Sequence, residues 1–173
     1  MGHTNVEIKA RCSDQQRIKD YLKDHGADFK GIDHQIDTYF RVPKGRLKLR
    51  EGNIENYLVQ YQRADQAGPK EALVILYRSD PDANLKEVLT HALDVLVVVD
   101  KQREIAFIDN VKFHLDTVTG LGTFMEIEAI DRDGSIGKEK LYEQCQKYLR
   151  EMNIDPSDLL EGSYSDLLME AAN

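Results

Sequence analysis

The sequence predicts an α+β protein in which roughly eight or nine antiparallel strands form a sheet or barrel with helices at its periphery. Many segments alternate apolar and polar residues, which is typical of strands with one buried face. Most of these segments are joined by links of hairpin length, and only a few longer segments carry helix start and stop signals. The chain has 173 residues, 41% hydrophobic and 31% charged, which fits one globular domain with a buried core.

The beginning of the chain shows both patterns. Residues 4–11 alternate strictly, which predicts a strand. Ser13-Asp14 is a helix start signal and Gly26 a stop signal, so a helix is predicted to about residue 25. A second helix is predicted from an Asp80-Pro81-Asp82 cap to about residue 93. The other predicted strands cover residues 35–41, 46–51, 56–63, 71–79, 95–101, 103–109, 111–118 and 123–131, and the other helices residues 137–152 and 164–171.

The polar faces of the strands carry charges two positions apart, whereas an ordinary solvent-facing strand mixes Thr, Ser, Gln and Lys. Residues two apart on a strand point to the same side of the sheet. The sets are Glu7/Lys9, Arg46/Lys48/Arg50, Tyr61/Arg63, Lys101/Arg103, Lys112/His114/Asp116 and Glu126/Glu128. Their recurrence suggests a shared polar interior. A barrel lumen lined with cations and a few carboxylates would hold a polyanion together with its metal ion.

Charge, hydropathy and cysteine content argue against several other classes of protein. The formal net charge of −8 disfavours non-specific nucleic-acid binding, so no nucleic-acid partner is expected. No apolar run approaches the ~20 residues of a membrane helix, and the first residues lack the apolar segment of a signal peptide. Cys12 and Cys145 lie far apart and form no CxxC pair, which indicates reduced thiols in a cytoplasmic protein. The sequence leaves monomer and homodimer open.

Short motifs that span almost the whole chain resemble one known family in their order and spacing. They are Val6-Glu7-Ile8-Lys9-Ala10, His34-Gln35, Asp37-Thr38-Tyr39-Phe40, Gly45-Arg46-Leu47-Lys48-Leu49-Arg50, Tyr61-Gln62-Arg63, Asp65-Gln66-Ala67-Gly68-Pro69-Lys70, Lys101-Gln102-Arg103, His114-Leu115-Asp116, Gly120-Leu121-Gly122, Phe124-Met125-Glu126-Ile127-Glu128 and Glu161-Gly162-Ser163-Tyr164-Ser165-Asp166-Leu167-Leu168. The family is the CYTH domain family, or triphosphate tunnel metalloenzymes, which includes class IV adenylate cyclases and thiamine triphosphatases. The resemblance implies a single CYTH domain over residues 1–173. It also implies an eight-stranded antiparallel tunnel that binds a small-molecule triphosphate, with carboxylates that hold Mg²⁺ or Mn²⁺.

Glu126 and Glu128 are the first candidate metal ligands. Two apart on one strand, their side chains share a face at roughly 6–7 Å, a spacing that fits either a shared divalent ion or a solvated acidic edge. The resemblance favours the metal, with Glu7 as a third ligand. The family signature is ExExK, and Glu7 and Lys9 match its second Glu and its Lys, but Asn5 replaces the first Glu. We therefore expect one tightly held ion and a second that binds only with substrate.

Cations on the same inner faces are predicted to bind the phosphates, because Arg presents a planar fork of donors and Lys a compact charge. The candidates are Lys9, Arg46, Lys48, Arg50, Arg63, Lys101 and Arg103. The resemblance also makes Lys9 a catalytic candidate that activates water, provided its pKa is lowered. Asp116 is the second catalytic candidate, because it matches a position that helps the metal or the reacting hydroxyl in cyclase members. His114 could bind a metal or transfer protons, although a single strand histidine is more often structural.

Three functions stay open. The first is divalent-metal-dependent hydrolysis of a nucleoside, thiamine or inorganic tri- or polyphosphate, in which the cations ease the shift of charge in a loose transition state. The second is a class IV adenylate cyclase, in which the 3′-hydroxyl of ATP attacks the α-phosphorus. The third is non-catalytic binding of a triphosphate or polyphosphate, for which Asn5 argues. Covalent catalysis is not expected, since the sequence has no P-loop, nucleophile–His–acid triad or zinc motif.

Overall fold

Eight antiparallel strands close into one barrel in the computed structural model, which describes residues 2–81 and 84–173. This confirms the predicted α+β barrel with peripheral helices. The strands are β1 (His3–Arg11), β2 (Asp28–Phe40), β3 (Arg46–Glu51), β4 (Tyr57–Arg63), β5 (Lys70–Arg78), β6 (Val95–Ile108), β7 (Val111–Val118) and β8 (Gly122–Asp131). The helices are α1 (Gln15–Asp24), α2 (Leu85–Leu93), α3 (Lys138–Glu151) and α4 (Tyr164–Ala171), with a 3₁₀ turn at Pro156–Asp158. Around the barrel the order is β1-β5-β4-β3-β2-β6-β7-β8, and β8 pairs with β1.

The sequence prediction was wrong about one strand break. The segments predicted as separate strands at 95–101 and 103–109 form one continuous strand, β6. Gln102, at the predicted break, pairs with His34 of β2 and with Thr117 of β7. The cations on either side of Gln102 are buried inside the barrel, so the charged stretch marks an inward-facing part of a strand and not a turn.

Strand β2 is longer than predicted, because it begins at Asp28 and not at residue 35. Its pairing with β6 shifts register between Phe29 and Gly31, and Gly31 has a φ of 113°. Such a backbone conformation favours glycine and is typical of a β-bulge. The bulge and the mostly exposed side chains around it hide the strand alternation in the sequence.

Two of the helices, α1 and α4, begin at side-chain caps. The carboxylate of Asp14 accepts a hydrogen bond from the backbone of the first turn of α1, at 3.1 Å. Ser163 forms a reciprocal capping box at the start of α4. The predicted Asp80-Pro81-Asp82 cap includes Asp82, which lies outside the described residues, and α2 begins at Leu85.

The largest apolar cluster lies outside the barrel, between the strands and helices α1 and α3. Strands β1, β7 and β8 send alternate apolar side chains outward into this layer. The cluster includes Val6, Ile8, Ile18, Leu22, Phe113, Leu115, Met125, Ile127, Leu141, Cys145 and Tyr148. Because successive strand residues point to opposite faces, the polar residues between them must point into the lumen. The helix layer therefore stabilises a barrel whose interior is free to be charged.

The two cysteines, Cys12 and Cys145, are both buried and unpaired. Within the described part of the chain the longest helix is α3, with 14 residues. No helix described there has the length and apolar composition needed to cross a bilayer.

Candidate functional site

The barrel encloses a cavity of about 120 Å³ that is lined largely by charged side chains. Among the described residues, its cations are Lys9, Lys48, Arg50, Arg63, Lys101, Arg103 and Lys112. Its carboxylates are Glu7, Asp37, Glu55, Glu126 and Glu128. Tyrosine and aliphatic side chains of β4 and β5 form much of the remaining wall. The lumen thus holds more cations than carboxylates, although the whole chain has a formal net charge of −8.

Lys9 lies at the junction of β1 and β8, where it pairs in register with Glu126. Its Nζ is 3.8 Å from Glu126 Oε2 and 4.0 Å from the centre of the Tyr164 ring. Burial lowers the pKa of Lys9, and Arg63 and Arg103 lower it further, while Glu126 opposes them. This is the condition under which a lysine can exchange a proton.

An acidic group with one imidazole occupies the wall formed by β7 and β8. His114, Glu126 and Glu128 each present a potential ligand atom, and these atoms all lie within 4.8 Å of one another. Burial lowers the pKa of His114 to about 3, and Arg103 and Lys112 act in the same direction, so its imidazole is neutral at neutral pH. The group is therefore rich in electron-pair donors.

The two glutamates of this group differ in their surroundings. Burial alone would raise the pKa of Glu126, but Lys9, His114 and Arg103 hold it well below its usual range. Burial raises the pKa of Glu128 to about 7; Lys112 opposes this shift, but the neighbouring carboxylates Glu7, Glu126 and Glu55 add to it. Glu126 is thus held as an anion by cations, whereas ionised Glu128 lacks equivalent compensation.

Asn5 and Glu7 of β1 also face this region, but they have different partners. The side-chain amide of Asn5 donates a short hydrogen bond to Glu128 Oε1. Glu7, predicted as the third metal ligand, accepts a hydrogen bond from Arg63 Nη1 at 2.7 Å and lies outside the close group. Nε and Nη2 of Arg63 are buried and have no hydrogen-bond partner among the residues that the structure describes. In this structure Glu7 is therefore the ion-pair partner of Arg63, and two N–H groups of Arg63 remain available to another acceptor.

Asp37 is a central residue of the opposite wall that sequence reasoning missed as a site residue. It accepts hydrogen bonds from Arg50 at 2.9 and 2.8 Å and from Lys101 at 2.7 Å. Lys48 Nζ lies 3.3 Å from the same carboxylate. Burial alone would raise the pKa of Asp37, but these three cations hold it well below its usual range. The available signal was that Asp37 falls in a family-like motif and shares a face with Tyr39.

Glu55 and Lys112 are two further lumen residues absent from the predicted site. Lys112 Nζ lies 2.5 Å from Glu55 Oε2, and Arg50 Nη1 lies 3.4 Å from Glu55 Oε1. The sequence pattern placed Lys112 on the inner face of β7 with His114, but Lys112 was not among the predicted phosphate ligands. No sequence pattern indicated Glu55, because it lies in the link between β3 and β4, where side chains do not alternate. The course of this link brings the Glu55 side chain into the lumen.

Asp116 lies behind the lumen surface and does not line the cavity. Its side chain is fully buried, and its two oxygens accept hydrogen bonds from Arg103 at 2.7 Å each. The hydroxyl of Tyr164 donates a third hydrogen bond, also at 2.7 Å. This arrangement orients the guanidinium of Arg103 toward the lumen, so Asp116 contacts the cavity only through other residues.

Arg46 is the one predicted phosphate ligand that lies outside the cavity, which corrects its expected place in the lumen. Its Nη2 is 2.8 Å from Asp166 Oδ1, and its Nη1 donates to Ser165 at 3.2 Å. These contacts to α4 hold Arg46 at an open depression that also includes Lys44 and Arg63. Arg63 lines both spaces and so connects the depression to the cavity.

A closed antiparallel barrel that encloses a cationic lumen with a buried carboxylate group defines a tunnel protein. The sequence model of the CYTH domain family matches residues 3–164, and the chain belongs to this family.

Similar proteins come from distant organisms. The protein MJ0240 of Methanocaldococcus jannaschii, whose name assigns it provisionally to the adenylate cyclases, is 27% identical over 94% of this chain and 97% of its own length. The structure of the PH1012 protein from Pyrococcus horikoshii has a TM-score of 0.79 at 26% identity and covers 94% of this chain and 98% of that one. The Hippeastrum protein HpAC1 shares the fold, with a TM-score of 0.61 at 13% identity over 98% of this chain and 95% of its own.

Proposed function

We propose that the protein hydrolyses a triphosphate bound in the barrel, in a reaction that depends on a divalent metal ion. The observation that carries this proposal is the lumen itself, in which a surplus of buried cations faces a buried carboxylate group. A triphosphate is a polyanion that needs both cationic contacts and a metal ion to neutralise its charge.

The residues on the β7–β8 wall fit Mg²⁺ or Mn²⁺. Glu126 and Glu128 offer carboxylate oxygens, and Oδ1 of Asn5 and Nε2 of His114 are buried without a hydrogen-bond partner. When bound by Glu126 and Glu128, a divalent ion would neutralise the oxygens of the phosphate under attack. Glu7 would join these ligands if Arg63 turned its guanidinium toward a phosphate.

The cations would hold the phosphate chain and stabilise charge on the leaving diphosphate. Arg103 is oriented by Asp116, and Arg63 retains two unpaired donors in the lumen. Arg50, Lys101 and Lys48 share the single carboxylate of Asp37, so this wall can accept further negative charge. Lys9, whose pKa is lowered by burial, would assist the attacking water by proton transfer.

Cyclisation of ATP is the second candidate, because one wall of the cavity is suited to an organic group. Tyr57, Val59 and Tyr61 of β4 and Val74 and Leu76 of β5 line it. Such a wall could contact a nucleoside or thiamine moiety by stacking and apolar packing. The names of the relatives do not decide between the reactions, since HpAC1, described as an adenylyl cyclase, has a dominant triphosphatase activity.

Product identification tests the proposal. The protein would be incubated with ATP, thiamine triphosphate or tripolyphosphate, each with Mg²⁺ or Mn²⁺, and the products separated by ion-exchange chromatography. Orthophosphate with the matching diphosphate supports hydrolysis, and cyclic AMP with pyrophosphate supports the cyclase. Binding of a triphosphate without any product would refute both reactions and leave a triphosphate-binding protein.

A further inference from the structure

The imidazole of His114 lies between the two glutamates of β8 and is 2% exposed. His114 pairs in register with Glu126, and its Nδ1 is 3.3 Å from Glu126 Oε2. Its Nε2 is 3.8 Å from Glu128 Oε2 and has no hydrogen-bond partner. A buried ring nitrogen is thus directed at a carboxylate oxygen without a hydrogen bond to it.

The contacts of His114 assign its tautomer. Both ring nitrogens face a carboxylate oxygen, but only Nδ1 lies within hydrogen-bond distance of one, at 3.3 Å from Glu126 Oε2, so we assign the hydrogen of the neutral ring to Nδ1. Nε2 then has a lone pair, which faces the lone pairs of Glu128 Oε2. The 3.8 Å between these atoms exceeds a hydrogen-bond length, so a proton on either atom would not join them.

The lone pairs of His114 Nε2 and Glu128 Oε2 repel each other, and a cation bound between the two atoms would turn this repulsion into attraction. Bonds from a first-row divalent ion to imidazole nitrogen or carboxylate oxygen are about 2 Å long, so an ion can span this gap. A metal-binding histidine commonly donates its other ring N–H to a carboxylate, which is the relation of His114 to Glu126. Glu126 belongs to the same group, and because its Oε2 accepts from Nδ1, its other oxygen, Oε1, is the one that would bind the ion.

Asn5 completes the arrangement from β1. Its amide donates to Oε1 of Glu128, which leaves Oε2 directed at His114. A glutamate at position 5 would place another anion beside Glu128, whereas the amide orients Glu128 without adding charge. Position 5 on β1 thus lacks the carboxylate ligand of the family signature, and the Nε2 atom of His114 on β7 takes the place of that ligand.

We propose that His114, Glu126 and Glu128 form a mixed nitrogen–oxygen metal site that prefers Mn²⁺ or Co²⁺ to Mg²⁺, with Asn5 as a positioning residue for Glu128. Affinity for a site with a nitrogen ligand rises from Mn²⁺ to Co²⁺ along the first transition row, and Mg²⁺, which prefers a shell of oxygen ligands and water, gains least from the imidazole. The inference deepens the proposed function by naming the metal class of the same lumen, but metal binding at these residues does not require that any triphosphate be hydrolysed.

Mn²⁺ binding to the natural protein without triphosphate tests the site. Titration followed by electron paramagnetic resonance gives the dissociation constant, and pulsed measurements detect hyperfine coupling to a directly bonded imidazole nitrogen. We expect that coupling in the natural protein, and weaker competition by Mg²⁺ than by Co²⁺. In His114→Gln the coupling should vanish and Mn²⁺ affinity should fall roughly tenfold or more. His3→Gln, which removes the other histidine lining the cavity, should change neither quantity.

The nitrogen coupling of the natural protein decides the matter even if a variant fails to fold. Bound Mn²⁺ without imidazole coupling, equal competition by Mg²⁺ and Co²⁺, or unchanged Mn²⁺ affinity in folded His114→Gln would overturn the proposal. The result of the Mn²⁺ experiment and the result of the hydrolysis assay can be told apart. A protein that binds Mn²⁺ through His114 yet releases no product would retain the site and lose the proposed hydrolysis, and a triphosphatase without imidazole coupling would do the reverse.

Discussion

At the scale of single residues, Asn5 should determine how strongly the stability and the activity of the protein depend on a metal ion. Asn5→Glu would exchange an amide that donates to Glu128 for a second carboxylate beside it. Without metal, repulsion should lower the unfolding free energy by about 1–3 kcal/mol, because a buried hydrogen bond is also lost. With Mn²⁺, the added ligand should strengthen the second ion and raise triphosphatase activity at low metal concentration.

The measurement for Asn5→Glu is a metal titration of both melting temperature and activity, beside the natural chain. Asn5→Gln is the matched control, because it lengthens the side chain and keeps the neutral amide. A dependence on metal that is unchanged or weaker in Asn5→Glu would show that position 5 does not act on the metal.

The two glutamates of β8 should respond differently to the same substitution. Both Glu126→Gln and Glu128→Gln should abolish metal-dependent turnover, because each removes a candidate ligand. Without metal, Glu128→Gln should leave stability unchanged or raise it, since it removes a buried charge beside other carboxylates. Glu126→Gln should cost roughly 3–5 kcal/mol, because it leaves Lys9 and Arg103 without that anion.

Urea unfolding in the presence of a chelator separates these two outcomes. Equal stability of Glu126→Gln and Glu128→Gln would contradict the unequal charge environments described here. Undiminished turnover in both variants would remove the β8 glutamates from the metal site.

At the scale of secondary structure, Asp37 joins three strands of one barrel wall. It lies on β2 and accepts hydrogen bonds from Arg50 of β3 and Lys101 of β6. Asp37→Asn should therefore destabilise the barrel by roughly 3–5 kcal/mol at neutral pH, since buried cations lose their anion. Tripolyphosphate should restore much of the melting temperature, because its oxygens can take the place of the carboxylate.

The rescue by anion distinguishes a phosphate-binding wall from a purely structural ion pair. Asp100→Asn is the control, because Asp100 is a partly exposed β6 residue paired with His34. We expect tripolyphosphate to raise the melting temperature of Asp37→Asn more than that of the natural chain or the control. Equal increases in all three proteins would indicate that the anion does not reach the Asp37 wall.

The same carboxylate gives a pH dependence of stability with a defined sign. The pKa of Asp37 is held well below its unfolded value of 3.8. Its stabilising contribution is therefore present above that pH and is lost as pH falls toward the folded-state pKa. The stability difference between the natural protein and Asp37→Asn should shrink below about pH 4. A constant difference, measured by urea unfolding from neutral to acidic pH, would contradict this.

Alternation along single strands made the charged lumen predictable from sequence, whereas its ion pairs were not. Lys101 and Arg103 could be assigned to one face because strand residues two apart point the same way. Their anions, Asp37 and Asp116, come from other strands and are fixed by barrel register. Glu55 enters from a link, where no periodicity constrains side-chain direction. The position of Arg46 could not be predicted from β3 alone, because its ion pair with Asp166 of α4 holds the side chain outside the cavity.

At the scale of the whole molecule, the barrel separates its largest apolar cluster from its charged lumen, and a smaller apolar cluster, which includes Val59, Tyr61 and Val74, lines part of that lumen. The main core lies between the strands and helices α1 and α3, and the cavity lies on the opposite strand faces. Substitutions among lumen cations should therefore change ligand binding more than core packing. The strand break that the sequence predicted inside β6 is absent for the same reason. In a closed barrel the charged side chains of β6 can face the lumen, so the strand continues through the charged segment.

The central claim is that the lumen holds a triphosphate through its cations and a metal at its carboxylate group. A crystal structure of the natural protein with a non-hydrolysable imidotriphosphate and Mn²⁺ tests it most directly. We expect the phosphate chain inside the barrel, within hydrogen-bond distance of Arg63, Lys101 and Arg103, and the ion at Glu126 and Glu128. An analogue bound on the outer surface, or an ion bound away from β8, would contradict the claim.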